Sequence, residues 1–454
     1  MRVTKVSLIN FRNYSSCEVE LSEGRNIIIG DNAQGKTNFL ESIEYLAHGS
    51  SWRAGHDTEM VRLGADHMKV ELDCQISGGK ENISVAFRNT TDGARGSATY
   101  SPPGIAAIAG DELTSPVRSS SMGRKTKTER IFKINGLSQG SLRAVTHRLV
   151  TVSFKSHDLN LLRGGPRFRR EWIDTILCVL RPQYRVVLAN YQKTLAQRNR
   201  LLKMLSERGK VSVADNDQLK VWDEQTAKYG AQMIKDRVSL VNRLLPVCEE
   251  YQKLLSGDTE RLDCQYVFKS GDSQAGAGMS SPDDGEDTES EGEGWAKSET
   301  SHEGFSSRTL DEMSTDELCL LLMRKFKSMR FDEIRRRQTL IGPHRDDLRF
   351  SLNEHDAVHF ASQGQQRSLV LALKLAELKA VSEFLHEAPV LLLDDVLAEL
   401  DLNRQSLLMS LVGTDMQTII TTTHVTGFRP EWLENATFLQ VSAGTIGIHE
   451  KTPC

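Results

Sequence analysis

The chain has 454 residues, 39% hydrophobic and 26% charged, with 57 basic and 61 acidic side chains and a formal net charge of −4. This is the composition of a globular protein long enough for two or three domains, and it excludes a collagen, a mucin or a wholly disordered chain. No stretch approaches the ~18 uncharged apolar residues of a membrane span, the start MRVTKVSLINF carries no cleavable apolar core, and the cysteines (Cys17, Cys74, Cys178, Cys248, Cys264, Cys319, Cys454) are scattered without a C-x-x-C pair, so the expectation is a cytoplasmic protein with neither a disulfide framework nor a zinc site.

Val3 to Leu8 alternates apolar and polar residues, Cys17 to Leu21 does so more weakly, and Arg25 to Ile29 is a short apolar run that stops at Gly30. These patterns predict strands, the last buried on both faces. After Lys36 the residues Phe39, Leu40, Ile43 and Leu46 fall at helical spacing. A buried strand, a glycine loop and a helix therefore follow one another directly. The loop is Gly30-Asp31-Asn32-Ala33-Gln34-Gly35-Lys36-Thr37, which fits G-x-x-x-x-G-K-[ST] in the setting that motif requires. Its glycines let backbone N–H groups curl around a β-phosphate at a helix N-terminus. Lys36 then reaches the β- and γ-phosphates, and the Thr37 hydroxyl becomes a ligand of Mg²⁺. A chance match in a chain of this length occurs about one or two times in a hundred.

Further along, Asn89 to Lys127 is rich in Gly, Ser and Thr and contains Pro102 and Pro103; a surface loop is expected. Leu188, Tyr191, Leu195, Arg198, Leu202 and Leu205 step by three and four. Trp222, Thr226, Tyr229, Met233, Leu240 and Leu244 continue the stripe until Pro246, where it is expected to break. Two long helices joined by the short polar stretch Ser206 to Asn216 form a hairpin, either part of a globular bundle or a protruding arm. From Asp272 to Glu303 ten acidic residues stand against Lys297 alone, a net of −9 that leaves about +5 on the rest of the chain. Ser270 to Ser307 has almost no branched aliphatics, so it is expected to be a disordered insertion. It serves either as a solvated loop or as a mimic of nucleic-acid charge over a basic surface.

Near the end three elements carry chemistry. Ser362-Gln363-Gly364-Gln365-Gln366-Arg367 precedes the helical stretch Ser368 to Leu385 and presents a hydroxyl and bare N–H groups at a helix N-terminus; read alone, it is an N-capped helix. Pro389 to Leu393 is a buried strand whose run Val390-Leu391-Leu392-Leu393 ends in Asp394 and Asp395. One acid at such a tip can hold Mg²⁺ through water, and its neighbour can polarise an attacking water, the two tasks of phosphoryl transfer. The β-branched strand Thr418 to Thr423 ends at His424, which is placed to touch a γ-phosphate or is an ordinary strand-end histidine.

In this order, phosphate loop, Ser-x-Gly-Gln and acidic strand, the sequence resembles the ABC-type ATPases. Ser362, Gly364 and Gln365 match the core of that class's signature, although Ala361 and Gln363 depart from the usual Leu-Ser-Gly-Gly-Gln. Ala398-Glu399-Leu400-Asp401 stands where the class has its D-loop, with Asp401 as its acid. The resemblance implies that the signature of one protomer closes over ATP held by the other. The long span from Thr37 to Ser362, with a helical hairpin inside it, is similar to an SMC-type head with its coiled coil reduced to a stub. Phe11-Arg12-Asn13-Tyr14, Arg169-Arg170-Glu171-Trp172-Ile173-Asp174, Gln197-Arg198-Asn199 and Gly342-Pro343-His344-Arg345-Asp346-Asp347 narrow it to the RecF family of bacterial DNA replication and repair ATPases.

That resemblance implies an α/β fold, an ABC/SMC-type ATPase head assembled from N- and C-terminal parts of the chain with an inserted helical domain. The expected boundaries are 1–155 for the part with the phosphate loop, 156–268 for the helical domain, 269–308 for the acidic insertion and 309–454 for the part with signature and acidic strand. It implies ATP and Mg²⁺ as cofactors, Thr37 and Asp394 at the metal, and Asp394, Asp395 and His424 in catalysis. Asp395, shorter by a methylene than the Glu of most ABC enzymes, suits slow turnover. It also implies an ATP-dependent homodimer that binds duplex DNA near single-strand gaps and, with RecO and RecR type mediators, helps to place the RecA recombinase. Arg12 either contacts nucleotide or caps the first strand. Candidate DNA-phosphate contacts are Arg163, Arg167, Arg169 and Arg170, then Arg335, Arg336 and Arg337, with Lys125 and Lys127. Few aromatics are interleaved, which favours backbone contact with a duplex over stacking on single strands. Each cluster also reads as a solvated helix face. His344 to Asp347 mixes charges and reads as an internal network. The competing classes are an ATP-gated scaffold and a transporter's energising subunit.

Overall fold

The computed structural model describes residues 1–91, 126–146, 148–269, 307–413 and 415–448. The acidic insertion from 270 to 306 and the Gly- and Ser-rich stretch from 92 to 125 fall outside them. In chain order the strands are β1 (Arg2–Phe11), β2 (Tyr14–Glu20), β3 (Arg25–Ile29), β4 (His67–Ile76), β5 (Gly79–Thr91), β6 (Thr126–Ile134), β7 (Leu137–Gln139), β8 (Thr151–Lys155), β9 (Leu262–Val267), β10 (Asp347–Leu352), β11 (His355–Asp356), β12 (Val390–Asp394), β13 (Thr418–Thr422), β14 (Thr437–Ser442) and β15 (Thr445–Ile448). The helices that matter here are α1 (Lys36–His48), α2 (Pro166–Leu180), α3 (Pro182–Arg208), α4 (Val213–Ser256), α5 (Thr315–Arg336), α6 (Gln363–Leu385) and α7 (Leu402–Leu411).

One compact unit comprises Met1–Ser153, Ala388–Leu400 and Gly413–Cys454. Its first sheet, in the order β2-β1-β4-β5-β6-β7, is antiparallel at every pairing. Its second has the order β15-β14-β3-β13-β12-β8, and within it β14, β3, β13 and β12 run parallel. Parallel strands are covered on both faces and read as continuous apolar runs, which is why Asn-Ile-Ile-Ile and Val-Leu-Leu-Leu stood out in the sequence. The core gathers Val3, Val6, Leu8 and Phe11 of β1 with Phe39 and Ile43 of α1 and Ile28, Leu392 and Ile419 of the parallel strands. Each such side chain contributes roughly 1.5–3 kcal/mol on burial. The expected loop from Asn89 differs at its ends: β5 and β6 pair out to Thr91 opposite Thr126, because β-branched threonines extend the ladder.

The other unit comprises Phe154–Glu387 and Asp401–Val412. Here α3 and α4 form the expected hairpin, closed by Gly209 in the left-handed region (φ 67°) and by a capping box between Ser212 and Asp215. Leu201, Leu202, Leu205 and Leu219 pack together near its end with Trp222 and Ile334. The expected break at Pro246 does not occur, for α4 continues through it to Ser256. Leu244, Cys248, Tyr251 and Gln252 keep one face buried across the proline. That packing outweighs the missing N–H. The expected grouping of 309–454 is also revised: residues 309–387 fold with the helical unit. The reason lies in α6, whose two sides are buried from Gln366 to Val381, packed on α4, with Trp172 Nε1 donating to Glu377 at 2.7 Å. Among the described residues no helix is long and apolar enough to cross a membrane.

Candidate functional site

β3 delivers Gly30 at its C-terminal end, and α1 starts at Lys36. Between them the loop is held from two sides. At the β1–β2 turn, Asn13 Nδ2 donates to Gln34 O at 2.8 Å and Tyr14 Oη donates to Gly35 O at 2.9 Å. At the β14–β15 turn, Ala443 N donates to Gln34 Oε1 at 2.6 Å and Gly444 N to Gln34 O at 3.2 Å. Two glycines of the loop are demanded by this fit. A Cβ on Gly30 would lie 2.6 Å from Val441 O, and one on Gly35, whose φ is 121°, would lie 2.7 Å from Asn13 Nδ2. Arg12, expected to reach nucleotide or cap the strand, instead forks onto Glu41 of α1 at 3.0 and 2.6 Å and donates to Glu59 O.

Lys36, 4% exposed, donates from Nζ to Gly30 O at 2.8 Å and Asp31 O at 3.2 Å, and stands 4.0 Å from Asp395 Oδ2. Thr37 Oγ1 donates to Asp394 Oδ1 at 3.0 Å, although the two are 357 residues apart in sequence. β12 is buried along its whole length and ends in Asp394. Asp395 then turns into the left-handed region (φ 56°), which an Asp tolerates better than most residues. Burial raises the Asp395 carboxyl above the ordinary range; Lys36 and His424 oppose this and Glu399 adds to it. Next door, the end of β13 and the residue after it supply three threonines in succession. Thr421 Oγ1 donates to Asp394 Oδ1 at 2.7 Å, Thr422 Oγ1 donates to His424 O at 2.6 Å, and Thr423 Oγ1 lies 3.0 Å from His424 Nδ1. A hydroxyl and a carboxylate meeting at one point form the sparse, hard oxygen set by which a protein holds Mg²⁺ alongside phosphates. Thr37 and Asp394 therefore fit that ion.

In the helical unit, Ser362 and Gln365 form a reciprocal capping box: Ser362 N donates to Gln365 Oε1 at 2.8 Å and Gln365 N to Ser362 Oγ at 3.3 Å. Ser362 and Gly364 are exposed, and a Cβ on Gly364 would meet nothing within 4 Å. Asp401 caps α7 by accepting from Asn403 N and Arg404 N. Arg404 pairs with Asp401 at 3.1 Å and donates to Ser368 Oγ at 2.6 Å on α6. Asp401 and the helix α6 are thus tied through one guanidinium.

The arginine clusters divide. Arg169 leaves the surface set: it is buried, forks onto Asp347 at 2.7 and 3.0 Å and donates to the carbonyls of Leu161 and Gly164, because a charge this deep survives only when paired. Arg170 is half-buried and donates to Asp346 O at 2.8 Å. Arg163 is exposed and donates to Gln366, Arg167 is exposed beside Glu171, and Arg335 is exposed beside Asp332. Arg336 and Arg337 are exposed at the end of α5. Lys125 lies outside the described residues.

The family model described as RecF/RecN/SMC N terminal domain matches residues 2–437. The DNA replication and repair protein RecF of Thermosynechococcus vestitus is 34% identical over 446 residues, covering 98% of this chain and 97% of the relative. The chain belongs to the RecF family. A second RecF, from Gloeobacter violaceus, is 34% identical over 447 residues and 98% of each chain. Among solved structures, the recombination mediator protein RecF with ATP in the RecFOR pathway aligns with a TM-score of 0.74 at 26% identity, over 99% of this chain and 97% of that one. The fold is accordingly the α/β head of the RecF and SMC proteins.

The segments that carried the RecF resemblance have structural work in this chain. Asn13 and Tyr14 hold the phosphate loop. Arg198, fully buried, joins Asp223 at 2.8 Å, Glu333 at 2.6 Å and Thr339 at 2.7 Å; Asn199 accepts from Thr339 N. Asp174 forks with Arg237, and His344 Nδ1 lies 2.6 Å from Tyr191 Oη. The stretch His344 to Asp347 is an internal network. Sequence reasoning passed over Thr421, Thr422 and Thr423, whose signal was the run of three threonines before His424, and Arg404, which nothing in the sequence singled out.

Proposed function

We propose that the chain is an ATP-dependent DNA-binding protein of recombinational repair and replication restart, with ATP and Mg²⁺ as its cofactors. The observation that supports this most is the contact of Thr37 with Asp394. It joins a phosphate loop near one end of the sequence to an acidic strand near the other. Gly30 to Thr37 cradle the phosphates, with Lys36 on the β- and γ-phosphates. Thr37 and Asp394 would hold Mg²⁺, which would supply neutralisation of phosphate charge there. Asp395, its carboxyl raised by burial, polarises the attacking water, and His424 stands for the γ-phosphate. Because a carboxylate with one methylene reaches less far than a Glu, hydrolysis is slow and acts as a timer. Ser362, Gly364 and Gln365 close over ATP bound to a second copy, with Asp401 at the shared boundary, so nucleotide joins a homodimer.

That dimer binds duplex DNA near single-strand gaps through Arg167, Arg170, Arg335 and Arg336, and works with RecR and RecO type mediators to load a recombinase; the RecFOR pathway named for the solved relative supports that last step. The test is fluorescence anisotropy on a gapped duplex with and without ATP and Mg²⁺, across a salt series. Tight binding that requires ATP and weakens steeply with salt is expected. Binding in no nucleotide state would overturn the DNA clamp and leave an ATP-gated scaffold or an energising subunit.

A further inference from the structure

The strand β13 has a detail that the phosphate loop and the acidic strand do not explain. Thr421 is fully buried and sits opposite Asp394 in the parallel register of β12 and β13. Its hydroxyl donates to Asp394 Oδ1 at 2.7 Å and accepts from Asp395 N at 3.2 Å. The same backbone N–H also donates to Thr421 O at 3.1 Å. One side chain therefore touches a carboxylate on one residue and the peptide of the next.

This matters because Asp395 follows in a left-handed conformation (φ 56°), where the chain leaves the strand and the backbone bond to Thr421 O is the last that β13 supplies. A valine at 421 would occupy nearly the same volume and suit a buried parallel strand equally well. The hydroxyl thus adds hydrogen bonding and no packing. Thr37 donates to the same oxygen, Asp394 Oδ1, from the phosphate-loop side, so the carboxylate is gripped from two directions. A grip of this kind on a metal-ligating carboxylate sets its orientation and its basicity.

We propose that Thr421 is a positioning residue that sets the metal carboxylate of Asp394 and the water-polarising carboxylate of Asp395 in register with each other. The inference rests on the nucleotide reading above. Were the Thr37 hydroxyl engaged by the ion, Thr421 would still donate to Asp394 from the strand side and hold the carboxylate's orientation. The hydrogen bonds that Asp395 N donates to Thr421 Oγ1 and Thr421 O keep the second acid at a fixed step from the first.

The test compares wild type with Thr421→Val and Thr421→Ser. Equilibrium ATP binding is titrated against Mg²⁺ by calorimetry, with thermal unfolding and steady-state turnover alongside. For Thr421→Val the Mg²⁺ concentration giving half-maximal ATP binding is expected to rise about 10-fold and kcat to fall about 10-fold, the scale seen when a partner of a metal ligand is lost. The unfolding midpoint and the KM for ATP at saturating Mg²⁺ are expected to change less than about two-fold or a few degrees. Thr421→Ser, which keeps the hydroxyl, is expected to restore both. A Thr421→Val protein with the Mg²⁺ dependence of wild type would overturn the inference, as would equal losses in Val and Ser with a lowered midpoint, which would mark a packing role. A wild-type protein that binds no ATP at any Mg²⁺ concentration would overturn the nucleotide reading itself, a result distinct from either.

Discussion

Asp346 is fully buried, accepting from Tyr266 Oη at 2.7 Å and from Lys269 N at 3.0 Å. Burial pushes its carboxyl up to about 7, against Tyr266, the Lys269 N–H, Arg237 and Arg170, which favour the charge. The native protein thus holds this proton more tightly than the unfolded chain, whose carboxyl has the ordinary value of 3.8. The resulting stability is complete below that ordinary value and is lost as pH rises through about 7. Thermal midpoints from pH 5 to 8 should fall in wild type relative to Asp346→Asn; parallel curves would mean that Asp346 is ionised throughout. At this scale the sequence was legible where spacing alone defines chemistry, as from Gly30 to Thr37. It was not legible at Arg169, because a basic residue looks the same in sequence whether it faces solvent or a buried Asp347. Thr421 was hidden for the complementary reason, as a β-branched residue in a strand calls for no explanation.

Among the elements, α4 is the one that departs furthest from its sequence reading. A proline in a helix interior removes one N–H and crowds the preceding turn, at a cost of about 3 kcal/mol. Pro246 is exposed, and it lacks the N–H that would donate to the carbonyl one turn back, so little burial of the ring is available to offset that cost. Pro246→Ala is expected to stabilise the helical unit by about 1–3 kcal/mol, read as a higher urea midpoint by circular dichroism. An unchanged or lower midpoint would show that the ring contributes packing of its own. The three-and-four stripe from Leu188 to Leu244 made both helices and their hairpin visible in advance. The continuation beyond Pro246 was not visible, because it depends on what Cys248 and Tyr251 touch across the unit.

For the whole molecule, the order of motifs was readable from end to end, whereas the division into units was not. Contacts of α6 with α4 assign residues 309–387 to the helical unit, and sequence distance carries no information about such packing. The proposed dimer makes its prediction at this scale. Asp395→Asn keeps the shape of the side chain but removes the base, so in saturating ATP and Mg²⁺ it should accumulate as a dimer by light scattering, while Lys36→Met should bind no nucleotide and remain a monomer. A monomeric Asp395→Asn protein under those conditions would count against nucleotide as the joining element. The position of β3 has a consequence in time. Its neighbours are β13 and β14, with Arg25 opposite Thr418 and Asn26 opposite Thr437, so the strand that ends in the phosphate loop has no partner until β13 and β14 have been made. At a synthesis rate of about 5–20 residues per second, the ribosome spends tens of seconds between exposing that strand and supplying the two that flank it. The loop therefore lacks the two flanking strands of its sheet during that interval, and a product truncated before Thr418 is expected to bind no nucleotide in an equilibrium titration.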